Sequence, residues 1–304
     1  MKPPKFDYLR PATVPEAIDA LVAAEGGGKI IAGGQSLMPM LNFRLLNPTV
    51  LIDINRIAEL SSFREEDGGL RIGSLTRHHK LETSDAVKRL FPVLNAAMAH
   101  VAHLAIRNRG TIGGSITHAD PAAELPMMMV LLESEITIAT PRGSRVVAAE
   151  DFFLGALTSA VEEDELVTEI YLPALPPNAG WAFEEVARRA GDFALAAVGV
   201  IMTVEDGRVT HSRVGVMGVG DTPLRLFDVE TVLYDEACEG GILDQAIEVA
   251  RASVAPATDL HASADYRRHL LGVLVKRALQ TAWLRANGKD VASGSSSSGG
   301  HHHE

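Results

Sequence analysis

The sequence predicts an α+β protein in which two N-terminal α/β subdomains precede a C-terminal antiparallel sheet packed with helices. Three observations predict it: a helix–strand–strand pattern at the start of the chain, a pair of glycine turns, and an Asp-Gly hairpin signal in the last third. The 304 residues are 46% hydrophobic and 22% charged, so the chain is too apolar to be disordered and can bury cores of useful size.

The first unit, placed at residues 1–57, starts with Thr13-Val14-Pro15-Glu16, which has the form of a helix capping box. Ala17, Ile18, Leu21 and Val22 then share a helical face, and Gly26-Gly27-Gly28 ends the helix. Ile30-Ile31-Ala32 and Val50–Ile54 read as buried strands. The second unit spans residues 58–175. Strands are expected at Leu70–Ile72, Ile136–Ile138, Arg145–Val147 and Leu166–Leu172, and one helix from Pro92 to Leu104. Pro173, Pro176 and Pro177 mark a linker. In the third unit, residues 176–290, apolar runs at Leu195–Val204 and Val209–Met217 flank Glu205-Asp206-Gly207-Arg208. Asp-Gly between such runs signals a hairpin, because the turn requires positive φ. Helices are expected around Ile242–Ser253 and Asp265–Ala286, and the serine-rich tail at 291–304 reads as disordered.

Charge and cysteine content narrow the function. With 28 Lys+Arg against 39 Asp+Glu, a net −11, the chain is a poor polyanion binder, which argues against nucleic acid. A single cysteine, Cys238, excludes a disulfide framework and any iron–sulfur or Cys-rich zinc site built from this chain alone. That count, and an N-terminus without an apolar signal core, favour a cytoplasmic setting. No stretch approaches the roughly 20 apolar residues of a membrane span.

The informative motif is the pair of glycine turns, Ala32-Gly33-Gly34-Gln35-Ser36 and Thr111-Ile112-Gly113-Gly114-Ser115. Consecutive glycines let backbone N–H groups converge on an anionic oxygen with no Cβ in the way, and the serines add donors. Two such turns suit the two anionic groups of a diphosphate. Singly, each also reads as an ordinary tight turn. Neither fits the dinucleotide G-x-G-x-x-G pattern or the P-loop.

Longer stretches around these turns extend the pattern. They are Ala32–Pro39, Leu51–Ile54, Ile106–Ser115, His118–Pro126, Arg188–Ala194 and Gly218–Pro223. Together, in this order, they resemble the FAD-binding medium subunit of molybdenum hydroxylases, the group of carbon monoxide dehydrogenase and bacterial xanthine-type dehydrogenases. The resemblance implies a flavin fold of the vanillyl-alcohol-oxidase or p-cresol-methylhydroxylase (PCMH) type. It also implies that Ala32, Gly33, Gly34, Gln35, Ser36 and Leu37 hold FAD together with Ile106, Gly110, Thr111, Ile112, Gly113, Gly114 and Ser115. Asp120 and Glu124 fall where the family places polar groups near the adenosine ribose. Leu166 and Val167 match a segment against the flavin ring, and Phe193 stands where some relatives carry a tyrosine. His103 is expected beside the second turn, and Gln35 replaces a histidine common in the family.

The same resemblance implies partners: a large molybdopterin subunit that hydroxylates the substrate, and a small subunit with two 2Fe–2S clusters. Electrons would leave through FAD to NAD, a quinone or O2. No side chain is assigned as catalytic. The alternatives are a stand-alone PCMH-type flavin oxidoreductase, similar to the cell-wall precursor reductase, and a non-flavin nucleotide-binding or scaffold protein.

Other candidates carry less chemistry. His78-His79 and His100-x-x-His103 lack the cysteine or carboxylate that would complete a metal site, and no metal ligand is expected. Neither Ser36 nor Ser115 lies in a nucleophile elbow. Arg107 and Arg109 suit either cofactor steering or ion pairing. Met127-Met128-Met129 reads as core, and acidic neighbours of Cys238 argue against a reactive thiolate.

Overall fold

A computed structural model describes residues 2–289; the serine-rich tail, including His301–His303, lies outside the described residues. β1 (Asp7–Leu9), α1 (Val14–Ala23), β2 (Gly28–Ile31), α2 (Leu37–Asn42) and β3 (Val50–Asp53) form the first unit. Its strands are parallel, in the order β1-β3-β2. Thr13 caps α1: its Oγ1 accepts from the Glu16 amide at 3.3 Å, and the Glu16 carboxylate accepts from the Ala12 amide at 2.7 Å. Ala17, Ile18 and Leu21 are buried, but Val22 is exposed. At about 100° per residue, Val22 lies past Ile18 at the edge of the apolar stripe.

The second unit is a five-stranded antiparallel sheet, in the order β4-β5-β10-β6-β7. It contains β4 (Phe63–Glu66), β5 (Gly69–Gly73), β6 (Glu135–Thr140), β7 (Gly143–Ala148) and β10 (Leu166–Leu172). Between β5 and β6 run α3 (His78–Thr83), α4 (Asp85–Leu90), α5 (Pro92–Met98), α6 (Leu104–Arg107), α7 (Ile112–His118) and α8 (Glu124–Leu131). After β7 come α9 (Ala149–Phe152) and the small β8 (Phe153–Gly155) and β9 (Thr158–Ser159) pair.

Two expectations are corrected here. The single helix from Pro92 to Leu104 is broken after Met98, and Ala102 takes φ +43° in the gap. Arg107 stabilises the break by donating from Nη1 to the carbonyls of Val101 and Ala102, both at 2.9 Å. The second glycine turn is the first turn of α7, with Thr111 as its N-cap. The Met127–Met129 helix is core as expected, and every residue of α8 is buried.

β10 ends at Leu172 and β11 (Gly180–Ala187) begins the last sheet, so the three prolines lie in the connection. β12 (Ala194–Glu205), β13 (Arg208–Met217) and β14 (Leu224–Arg225) complete it, in the order β11-β12-β13-β14. Asp206 and Gly207 take φ of +48° and +75°, as a two-residue hairpin with matching strand twist requires. Alternate residues of β12 serve two cores: Ala197 and Ile201 face the second unit, while Ala196, Val198 and Val200 face α10 (Phe227–Leu233), α11 (Gly240–Ala252) and α12 (Ala264–Ala286). Among the described residues, no helix is long and apolar enough to cross a membrane.

Cys238 sits in this last core at 1% exposure, and burial, reinforced by Glu239, pushes its thiol up to about 12. The native chain is therefore expected to resist a thiol reagent at about pH 8 and to react once unfolded. Rapid stoichiometric labelling of the folded protein would contradict the burial.

Candidate functional site

The first glycine turn links β2 to α2. Gly34 adopts φ +71°, and Ser36 is the N-cap of α2. The Gln35 side chain folds back, donating from Nε2 to the Gly33 carbonyl at 2.8 Å. Among the described residues, the amide N–H groups of Gly33, Gly34, Gln35 and Ser36 donate no hydrogen bond. Unpaired amides in one turn form a ready concavity for an anion.

The second turn is built differently. The segment after β5 pairs with it: Gly113 N–H donates to Ser74 at 2.9 Å, Ile112 N–H to Thr76 at 3.0 Å, and His78 N–H to Gly110 at 3.0 Å. Thr111 Oγ1 accepts from Gly114 N–H at 3.2 Å and fixes the start of α7.

The two turns touch. A Cβ on Gly33 would lie 2.3 Å from the Arg109 carbonyl oxygen and 2.9 Å from Gly110 Cα. Only glycine permits this approach.

A cavity of about 600 Å³ opens at the junction, within the range of small-molecule sites. Both turns line it, through Ala32, Gly33, Gly34, Gln35, Ser36 and Leu37 on one side and Gly110, Thr111, Gly113, Gly114 and Ser115 on the other. Ile106, Asp120, Glu124, Leu166, Val167 and Phe193 also line it. Two sequence-predicted residues do not. Ile112 is wholly buried in the second-unit core, because its position in α7 turns it away from the cavity. His103 is exposed and braces the 188–193 loop instead: its ring carbon Cε1 lies 2.5 Å from where a Cβ of Gly191 would be. Phe193, on that loop, is 64% exposed at the cavity.

Sequence reasoning missed other lining residues, notably Lys29, Ser74 and His78. His78 had been weighed only as a metal ligand. Its ring is 6% exposed, neither nitrogen has a hydrogen-bond partner among the described residues, and burial lowers its pKa to about 4. It is thus a neutral imidazole near pH 7. The pairing of residues 74–78 with 110–113 placed it there, and that pairing has no local sequence signature. Among the described residues, no three His, Cys, Asp or Glu side chains gather as a metal site.

The charged groups divide clearly. Arg107 forms a two-point pair with Glu82 at 2.9 and 3.1 Å, so ion pairing is its role. Glu165 is held by Arg145 at 2.9 and 2.6 Å. Glu124 is buried, and burial, with the nearby Asp120 charge, raises its pKa to about 7 against the opposing effect of its own backbone amide. Burial and the Glu124 charge push Glu185 up to about 8. One Glu185 oxygen has no partner among the described residues, and the other lies 3.7 Å from His100 Nδ1.

These residues fit a flavin nucleotide. Unpaired amides and abutting glycines suit a diphosphate, Asp120 and Glu124 suit sugar hydroxyls, and Leu37, Leu166, Val167 and Phe193 offer apolar surface to a flat ring system.

Comparison with known proteins agrees with this geometry. The family described as FAD binding domain in molybdopterin dehydrogenase matches residues 4–175, and that described as CO dehydrogenase flavoprotein C-terminal domain matches residues 181–282. The chain is 40% identical over 287 residues to the 6-hydroxypseudooxynicotine dehydrogenase complex subunit alpha of Paenarthrobacter nicotinovorans, covering 94% of this chain and 97% of that one. It is 39% identical over 285 residues to the carbon monoxide dehydrogenase medium chain of Hydrogenophaga pseudoflava, covering 94% and 99%. A solved structure of carbon monoxide dehydrogenase from Hydrogenophaga pseudoflava superposes with a TM-score of 0.92 at 40% identity, over 94% of this chain and 99% of that chain. The chain belongs to the FAD-binding medium-subunit family of molybdenum hydroxylases and is a flavoprotein subunit of an oxidoreductase.

Proposed function

We propose that this chain is the electron-transfer subunit of a cytoplasmic, three-subunit molybdenum hydroxylase. A large molybdopterin subunit hydroxylates the substrate, a small subunit supplies electrons through 2Fe–2S clusters, and an external acceptor of the NAD, quinone or O2 class removes them. The observation that carries this reading is the contact of two glycine turns, one with unpaired amides, over a single cavity. Relatives named as a complex subunit and as a medium chain support the multi-subunit setting.

Bound FAD supplies the redox chemistry, accepting electrons singly or in pairs. The protein's own residues hold and shield it. The two turns, contributed by units at 1–57 and 58–175, bind the diphosphate through the Gly33–Ser36 amides and the Ser115 hydroxyl. Asp120 and Glu124 hold the ribose hydroxyls. Leu166 and Val167 at the start of β10 back the ring, and Phe193 covers it at the exposed end. Phe193 has no hydroxyl, so it offers a packing surface and no hydrogen bond. No side chain serves as general acid or base toward an organic substrate.

The purified chain loaded with FAD is expected to be yellow and to turn over no organic substrate alone. Co-expression with the partner subunits should restore substrate-dependent reduction. Stopped-flow reoxidation of the dithionite-reduced chain by NAD, a quinone or O2 identifies the acceptor class. Direct oxidation of a small organic molecule by the isolated chain would instead establish a stand-alone flavin oxidoreductase.

A further inference from the structure

The first glycine turn follows β2 of the first sheet and the second opens α7 in the second unit, so something beyond chain connectivity must set the gap between them. A short hydrogen-bonded chain does so. Asn55, just past β3, donates from Nδ2 to the Ala32 carbonyl of the first turn at 2.8 Å. Its Oδ1 accepts from Arg77 Nη2 at 2.7 Å. The other Arg77 terminal nitrogen, Nη1, donates to the Arg109 carbonyl of the second turn. That carbonyl oxygen is the atom a Cβ on Gly33 would strike. Asp53 steadies the chain from behind, its Oδ1 accepting from the Asn55 amide at 2.9 Å and from Asn55 Nδ2 at 2.7 Å.

Neither Asn55 nor Arg77 lines the cavity. Both act through the backbone of the turns. The arginine fork is suited to this, because its two terminal nitrogens point at separate acceptors in a fixed plane, which an ammonium cannot match. Arg77 also pairs through its backbone with Thr111, the cap of α7, so its side chain starts from a fixed place.

We propose that Asn55 and Arg77 form a clasp that sets the spacing of the glycine turns and thereby the affinity for a flavin nucleotide; the proposal rests on the FAD reading above. They are positioning residues. A clasp acts as one unit, so its members should show non-additive effects.

The test uses the full chain stripped of flavin and titrated with FAD, following quenching of flavin fluorescence, with thermal melting of the apo form as a fold control. Asn55→Ala and Arg77→Met should each weaken FAD binding about tenfold, the scale of a lost hydrogen bond involving a charged group. The double variant should bind no worse than the weaker single. Arg77→Lys, which keeps the charge and loses the fork, should stay weak. Asn55 is exposed, so its variant is expected to fold and keeps the test decisive if Arg77→Met does not. Unchanged affinity in Asn55→Ala, additive losses in the double variant, or full rescue by Arg77→Lys would overturn the clasp while leaving the FAD reading intact. Failure of the wild-type chain to bind FAD would bring down both.

Discussion

Replacing Gly33 with valine is expected to abolish FAD retention. The nearest atoms to a new Cβ are backbone, the Arg109 oxygen at 2.3 Å, the Arg109 carbonyl carbon at 2.9 Å and Gly110 Cα at 2.9 Å. A flexible side chain could swing aside, but here a whole turn must move. Overpacking of this kind costs about 1–3 kcal/mol and sometimes more, and the displaced turn is the one that completes the cavity. We expect a loss of about a hundredfold or more in FAD affinity, equivalent to about 3 kcal/mol, and a colourless preparation. The neighbouring Gly34→Ala should be milder in packing, since its nearest contact is the Met38 side chain at 3.3 Å, although φ +71° still penalises it. The flavin-to-protein absorbance ratio of each purified variant, with its melting temperature, checks the order. Equal flavin content in Gly33→Val and wild type would contradict the contact.

The second large effect is on pH-dependent stability. An ordinary glutamate side chain titrates near 4.5, whereas Glu124 and Glu185 titrate near 7 and 8 in the folded chain. Between these values the folded chain holds protons that the unfolded chain has released. Stability therefore falls as pH rises from about 4.5 through the folded values, then levels off. For one group raised to about 7 the loss is on the order of 3 kcal/mol. Glu185→Gln removes its share, so the variant should melt above wild type near pH 8 and match it near pH 5, with a flatter profile between. The depressed Asp259, held near 2 first by the Ala262 and His261 amides, acts only below its ordinary value of 3.8 and stays outside this window. Parallel melting curves for wild type and Glu185→Gln would show that the buried acid is not neutral in the native chain.

Much of the framework was legible because the determining signals are local. Asp206-Gly207 needs positive φ at adjacent positions, and the cap at Thr13 needs only a hydroxyl and a carboxylate one turn apart. The glycine turns were visible for the same reason. Their division of labour was not. Sequence treats both glycines of each turn alike, but the close backbone approaches are at Gly33, against Arg109, and Gly113, whose Cβ would lie 2.5 Å from Ser74 Cβ. Those contacts join segments far apart in the chain and leave no local trace. β1 was missed because three exposed residues held only by pairing with β3 carry no periodicity. The break at Ala102 depends on Arg107 reaching back to two carbonyls, an interaction that apolar spacing does not encode. His78 and Glu185 acquire their protonation states from burial, which only the packed fold creates.

Hydrogen–deuterium exchange on the full chain, with and without FAD, reads the assembled site most directly. With one FAD bound per chain, the free amides of Gly33–Ser36 should pass from fast to slow exchange, while distant amides such as those of α11 stay unchanged. Stoichiometric FAD uptake with no protection at Gly33–Ser36, or no uptake at all, would contradict the account.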